Sequence, residues 1–514
     1  MTNSVGRNIP EEFLTNGVEA FQGQYYRNNF AYKKASPTVK ASVTPNKSKV
    51  VADLKEAIVK SGLKDGMTIS FHHHFRDGDF IGSMVVEAIA ELGIKDITIC
   101  ASSLGSAHDS IVPHIESGVI TGISTSGIRG KIGEAVSFGK LKKVAMIRSH
   151  GGRVRAIETG EVKIDVAFIG APTSDEYGNA RGKGGKSDCG VLSYSVVDAR
   201  YADKVVVITD CLVDFPNFPA SIQAVDVDYV VVVDQIGDPN KIVSAILRIT
   251  DNPRELIIAE TAAKVLANTP FFQDGFGFQT GGGGSALAVT RFLKPFMREK
   301  NIQMGFGLGG IAKAMVDLML EGYIKKIVDA QCFDLPSIES VNSGNGHFEI
   351  STSQYANPFN KGAFVNKLDF VILGALEIDT DFNVNVVTGS DGVMRGAPGG
   401  HVDAAAGAKC TIIVTPLMRN RIPVVIDKVT TVTTPGESID VLVTDMGVAI
   451  NPRRQDLIDA LKDKGLPIRT IEDMKEEVYA RLGEPEQIEF EDRVVALVEY
   501  RDGTIIDVVR QAKK

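Results

Sequence analysis

The chain has 514 residues, 44% of them hydrophobic, and carries 56 lysine plus arginine against 64 aspartate plus glutamate, a formal charge of −8. That mildly acidic balance argues against a nucleic-acid or anionic-membrane surface and leaves room for a small anion in a local basic pocket. Five scattered cysteines (Cys100, Cys189, Cys211, Cys332 and Cys410), none in a C-x-x-C pair, argue against a disulfide framework or a zinc site and for a reducing cytoplasm. No signal-peptide-like stretch opens the sequence, and no apolar run reaches the roughly 18 residues of a membrane span.

Residues 1–48 lack a clear period and read as an arm or linker. From Val51 to Lys60 the pattern is that of an amphipathic helix, followed by the short apolar run Thr68 to Phe71. Directly after it stands His72-His73-His74-Phe75-Arg76-Asp77. Adjacent residues of an extended segment point to opposite faces, so three histidines converge on one metal only across a tight turn. Imidazoles that donate hydrogen bonds, beside a guanidinium that grips a carboxylate in a fork, fit a polycarboxylate pocket better. A plain polar loop is the third reading. Met84 to Leu92 reads as a helix, and Ile97 to Cys100, Val144 to Ile147, Val166 to Ile169, Val205 to Ile208 and Tyr229 to Val233 as strands. Such short, β-branched, nearly continuous apolar runs alternating with helices predict parallel sheet covered on both faces.

A boundary is expected near 250–256. Beyond it Gly281-Gly282-Gly283-Gly284 abuts a helix start, where bare backbone and helix N-terminal amides suit an anion. Gly305-Phe306-Gly307-Leu308-Gly309-Gly310, expected between a strand at Ile302 to Met304 and a helix from Ala312, fits G-x-G-x-x-G. That motif alone suggests a dinucleotide fold, but close packing explains its glycines equally well. The densest polar stretch, Gly389 to Asp403, contains Gly399-Gly400, a candidate pair of oxyanion N–H donors, with His401 and Asp403 beside them. Arg181 to Asp188 is a basic loop that could cradle a phosphate-rich carrier.

The sequence repeats itself. Asp165-Val166-Ala167-Phe168-Ile169-Gly170-Ala171, followed by Asp175 and Asn179, returns as Asp369-Phe370-Val371-Ile372-Leu373-Gly374-Ala375, followed by Asp379 and Asn383, at a constant offset of 204. Val197-Asp198-Ala199 with Lys204 returns as Val402-Asp403-Ala404 with Lys409 at 205. Diverged copies of one fold look like this. The expected organisation is an arm (1–48) and two homologous α/β domains (49–252 and 253–514), with chemistry where equivalent loops meet.

The turns Ala171 to Asn179 and Gly396 to Lys409 resemble those of CoA-transferases. The Phe71 to Arg76 loop, Gly396 to Asp403 and the run Ser340 to Pro358 narrow the resemblance to the α-subunit family of citrate lyase. It covers essentially the whole chain. The resemblance implies two tandem parallel-sheet domains of the CoA-transferase kind, shared with glucosamine-phosphate and ribose-phosphate isomerases. It implies a cytoplasmic oligomeric complex with a lyase β chain and a small γ acyl carrier protein. No cofactor is expected to be tightly bound; acyl-CoA or the carrier's dephospho-CoA-derived arm is a substrate. The implied reaction exchanges acetyl on the carrier thiol for citrate. Many CoA-transferases interpose an enzyme glutamate, whereas the citrate lyase type lets citrate attack directly.

On that footing His72, His73, His74 and Arg76 are expected to bind citrate, and Gly399, Gly400, His401 and Asp403 to handle the acyl group. Glu339, ahead of Glu377, is the candidate nucleophile if a covalent route operates. Asp175 and Asn179 are expected to shape the carrier-binding turn, with Gly281, Gly282, Gly283, Gly284, Gly309 and Gly310 as further cofactor contacts. Rival readings are a CoA-transferase for citramalate or a short-chain fatty acid, a sugar-phosphate protein and a dinucleotide-dependent oxidoreductase.

Overall fold

The computed structural model describes residues 1–27, 30–31, 33–37, 46–242 and 249–513. Two large sheets organise these residues. The first contains β1 (Val50–Val51), β2 (Thr68–Phe71), β3 (Ile97–Ala101), β4 (Ile120–Thr125), β5 (Ala145–Ile147), β6 (Val166–Ala171), β7 (Lys204–Thr209) and β8 (Tyr229–Val232). The second contains β9 (Gly277–Thr280), β10 (Phe306–Ile311), β11 (Ile327–Cys332), β12 (His347–Glu349), β13 (Phe370–Leu373), β14 (Cys410–Val414), β15 (Val441–Thr444) and β16 (Gly447–Ile450). The C-terminal strands are β17 (Phe490–Glu499) and β18 (Ile505–Ala512).

The first sheet runs β1-β8-β7-β6-β2-β3-β4-β5-β17-β18, and the second β12-β11-β10-β9-β13-β14-β15-β16. Reversed, the second reads β15-β14-β13-β9-β10-β11-β12, the same permutation as β8-β7-β6-β2-β3-β4-β5. The repeat seen in the sequence is thus a repeat of topology. In both sheets the order reverses beside the first strand, between β2 and β6 and between β9 and β13. All pairings are parallel except β15 with β16 and β17 with β18.

Alternation explains the continuous apolar runs. Phe370 and Ile372 face one hydrophobic cluster, while Val371 and Leu373 face another on the opposite side of the same strand. The helices that cover these faces and carry the site are α1 (His150–Thr159), α2 (Ser193–Tyr201), α3 (Gly284–Lys300), α4 (Leu335–Ser343) and α5 (His401–Gly407). α1 starts where Ser149 caps the Gly152 N–H, and α4 starts in a capping box built by Asp334 and Ser337.

The structure corrects two expectations. The C-terminal end does not stay with the second half: β17 pairs in parallel with β5 (Ala496 with Ala145, Val498 with Ile147) and extends the first sheet. β5 would otherwise be an open sheet edge, and the apolar run Val494 to Val498 covers it. The N-terminal segment in turn lies on β18: Phe21 N–H donates to Ile505 O at 2.8 Å, and the Phe21 ring packs edge-on to Tyr500 at 4.7 Å. The second correction concerns Gly305 to Gly310. Most of the run is strand β10 itself rather than a strand-to-helix turn. A Cβ on Gly310 would overlap the Phe333 ring, and Gly309, at φ +106°, lies against Gln279. These glycines let neighbours close in, so the dinucleotide reading and a direct cofactor role for Gly309 and Gly310 both fall.

Candidate functional site

Loops at the carboxyl ends of strands from the two sheets touch, Arg76 against Phe333 and Gln331 against His73, and the candidate site, called the crevice below, is where they meet. After β2 the chain turns tightly: His74 N–H donates to His72 O at 3.2 Å and Arg76 N–H to His73 O at 3.1 Å. The turn therefore gathers three histidines that an extended chain would separate. The His72 ring centre lies 5.0 Å from that of His73 and 4.3 Å from that of His74. Ser102, just beyond β3, joins the Nδ1 atoms of His72 and His73, the latter at 3.3 Å. Among the described residues no group of three or more His, Cys, Asp or Glu is placed to hold a metal ion.

Arg76 has φ +53°, a left-handed conformation unusual for arginine, and its guanidinium lies 4.9 Å from the centre of the Phe333 ring, which follows β11. Gln331 Nε2 reaches His73 O at 3.5 Å, tying the second half to the same loop. Burial, with Arg129 nearby, brings the Arg76 pKa down to about 10. Burial, reinforced by His108, Arg76 and Arg129, holds His73 far below the usual histidine value. Three buried polar atoms, His72 Nε2, Arg76 Nε and Gln279 Oε1, have no hydrogen-bond partner in the protein. Buried polar atoms are nearly always satisfied, so this group points to a ligand, and the Arg76 guanidinium within it favours an anion.

Residues that the sequence reading missed complete the crevice. Tyr194, at the start of α2, stacks on His72 with ring centres 4.2 Å apart and meets His150 edge-on at 4.8 Å. His150 opens α1. Ser126 Oγ donates to Ser102 O at 2.5 Å and lies 2.8 Å from His150 Nδ1. A carbonyl only accepts, so the Ser126 proton goes to Ser102, His150 Nδ1 carries its own proton, and Nε2 is a bare acceptor. Burial keeps His150 neutral, with its pKa down to about 3. From the second half, Gln279 Nε2 donates to the Tyr355 hydroxyl at 2.9 Å. The only sequence signal for His150 was its place just after a strand, at a helix start.

The structure contradicts several assigned roles. His74 sits 3.2 Å from Ser195 Oγ through Nε2 and its ring also bonds the Val191 backbone, so it braces the loop. His401 is likewise saturated: Nε2 donates to Gly374 O at 3.0 Å and Nδ1 accepts from Thr434 Oγ1 at 2.8 Å. Asp403 is fully buried and accepts from Ser149 Oγ (2.9 Å) and Gly151 N–H (2.8 Å), with Arg501 Nε at 3.4 Å. It is a latch between the second half and the first turn of α1. Burial pushes its carboxyl up to about 6 against the pull of Arg501. The Gly399 N–H is committed to Ser126 O at 3.0 Å, so it is no oxyanion donor, and Gly400 lies hard against the Tyr355 hydroxyl. Glu339 is exposed on α4. Glu377 is held by Asn385 and Thr430, three bonds of 2.7–2.9 Å.

Asp175 and Asn179 also turn out to be structural. Asp175 accepts from Tyr177 N–H, Asn179 N–H, Asn179 Nδ2 and Asn217 N–H, all at 2.8–3.0 Å. Asp379 repeats most of that pattern with Asp381 and Asn383. Two copies of one pinned turn serve the fold, and neither aspartate offers a free oxygen to a carrier. In the glycine run, Gly281 N–H is bonded to Ile372 O at 2.7 Å, while Gly283 and Gly284, at the start of α3, line a cavity of about 340 Å³ with Gly374 and Arg419. Gly282 does not line it.

The pH dependence of stability follows from the buried histidines. His72 and His73 are held well below the ordinary 6.5, and His74 and His150 down to about 3, in each case first by burial. Folded, they bind fewer protons than unfolded, so their contribution is complete above about pH 6.5 and is lost as pH falls toward 3. Guanidinium midpoints should therefore drop between pH 7.5 and pH 5, and His74→Gln should flatten that drop. An unchanged slope in the variant would contradict the neutral, buried His74.

The fold is that of the CoA-transferases: a structure of 4-hydroxybutyrate CoA-transferase from Porphyromonas gingivalis superposes with TM-score 0.53 at 19% identity, covering 84% of this chain and 98% of that one. The family described as Citrate lyase, alpha subunit (CitF) matches residues 47–512, and the chain belongs to that family. The citrate lyase alpha chain of Klebsiella pneumoniae is 54% identical over 478 residues, 93% of this chain and 94% of that one. A structure of the α subunit of citrate lyase from Streptococcus mutans, in complex with citrate, matches with TM-score 0.96 at 52% identity over 100% of both chains. The chain is thus a transferase subunit, and an α chain implies companion subunits. Among the described residues no helix is long and apolar enough to cross a membrane.

Proposed function

We propose that the crevice exchanges acetyl for citryl on a thiol, with citrate seated between the His72–Arg76 loop and the second half. The observation that carries this reading is that buried atoms from both halves, His72 Nε2, Arg76 Nε and Gln279 Oε1, have no hydrogen-bond partner in the protein. The related Streptococcus mutans protein binds citrate, which supports the same occupant here. Arg76 grips a carboxylate. His72 and His73 bond the remaining carboxylate oxygens, and His150 Nε2, a bare acceptor, takes a hydrogen bond from the hydroxyl of citrate.

A carboxylate oxygen of citrate attacks the acetyl thioester carbon. The carbon–sulfur bond breaks, and the thiolate leaves a mixed citryl–acetyl anhydride. The thiolate then attacks the citryl carbonyl, forming the citryl thioester and expelling acetate. The Tyr194 hydroxyl, whose proton burial holds far above its usual pKa, donates to the developing oxyanion. Neither candidate glutamate takes part: Glu339 is exposed on α4, and Glu377 is bonded to its own neighbours. Glu339→Gln should leave kcat within about twofold of the wild type, since exposed substitutions rarely matter; a loss of a hundredfold or more would restore a covalent route.

The cavity at Gly283 and Gly284 lies at the order reversal between β9 and β13, only a few residues from Gln279. It is the place for the thioester arm, with a helix N-terminus to receive its phosphate. The carrier is a small γ acyl carrier protein, and the citryl product passes to a lyase β chain. Incubating the chain with acetyl-CoA and citrate tests the reading by mass spectrometry. Citryl-CoA and acetate are expected; acceptance of citramalate or a fatty acid but not citrate would overturn the acid assignment.

A further inference from the structure

A cavity of about 650 Å³ shares no lining residue with the crevice. It lies between the N-terminal segment, the second half and the turn joining β17 to β18, and its volume is that of a cofactor-sized pocket. Its lining carries three cations, Arg27, Lys361 and Arg501, against one acid, Asp502. Arg27 is engaged with Glu19 at 3.2 Å. Arg501 is buried, and Lys361 is exposed.

Two features mark the cavity as a built site. Tyr25 is 57% exposed, yet its hydroxyl donates to Ala406 O at 3.3 Å, which fixes an aromatic ring at the mouth. Asp502 is 4% exposed, and its Oδ1 takes Thr504 N–H and Oγ1 at 2.9 and 2.7 Å, while its buried Oδ2 has no hydrogen-bond partner. A fixed aromatic face, an exposed lysine and an orphaned buried acceptor match a planar base, a phosphate and a sugar hydroxyl.

We propose that this cavity binds a nucleoside phosphate, with the base on Tyr25, the phosphate on Lys361, and a ribose hydroxyl on Asp502 Oδ2. The site goes beyond the acyl exchange and is separate from the thioester arm. It is also wired to the crevice. Arg501 is the partner of Asp403, which holds the first turn of α1 and so the seat of His150.

Titration calorimetry of the full-length chain with AMP, and separately with inorganic phosphate, tests the proposal. Saturable AMP binding is expected, tighter than phosphate, weakened at least tenfold by Tyr25→Ala and by Lys361→Glu and unaffected by saturating acetyl-CoA. Citrate binding should be the same in both variants and the wild type, which shows that they fold. Three results would overturn the proposal: no AMP heat at millimolar ligand, variants that bind AMP like the wild type, or displacement of AMP by acetyl-CoA. The readout is binding, so it stands apart from whether the chain exchanges acyl groups.

Discussion

Arg76→Ala raises the citrate KM by a factor on the order of 10² and leaves the KM for acetyl-CoA nearly unchanged. Removing one partner of a buried, hydrogen-bonded charge pair costs about 2–5 kcal/mol, and tenfold in affinity is about 1.4 kcal/mol. No ion pair joins Arg76 to a described residue, and its Nε is buried and unpartnered. Its guanidinium is therefore held over Phe333 for a ligand. The backbone supports this view. A left-handed arginine costs of order 1 kcal/mol, and Arg76→Gly would relieve that strain. Lost citrate affinity in a glycine variant that is no less stable separates binding from folding. Arg76→Lys should not rescue, because a point ammonium does not replace the two-pronged fork. Equal rises in both KM values would remove the pocket assignment.

Asp403→Ala destabilises the chain by about 3–5 kcal/mol, because it leaves Arg501 as an uncompensated buried charge and strips the acceptor from Ser149 and Gly151. The loss should appear as a large fall in thermal midpoint. The latch spans 252 residues of sequence, so the variant also loosens the contact between halves, and kcat falls because His150 loses its fixed seat. Asp403→Asn keeps an acceptor and should recover part of the stability. A variant as stable as the wild type, yet inactive, would return Asp403 to a direct chemical role.

The sequence made the architecture readable where its signals were local. Two β-branched runs at a constant offset announced the duplication, and the strand order repeats it. The fate of the C-terminus was not local. That Val494 to Val498 would pair with β5 rather than with the second sheet depends on which edge is open, a three-dimensional fact. The His72–Arg76 loop was legible because its composition is unusual. The motif Gly399-Gly400-His401-x-Asp403 misled for a physical reason. Polar residues at a glycine turn suit a catalytic site and a docking joint equally, and only the partners, Ser126, Thr434, Ser149 and Gly151, distinguish the two. Tyr194 left no trace, since a tyrosine at a helix start reads as core until it is found stacked on His72.

Single-turnover exchange with carboxyl-18O citrate and unlabelled acetyl-CoA tests the central claim most directly. If citrate itself attacks at this crevice, the bridging oxygen of the anhydride comes from citrate and departs in acetate, so acetate carries one 18O and the protein none. Unlabelled acetate with 18O in an enzyme carboxylate, or no acetate at all, would contradict the account.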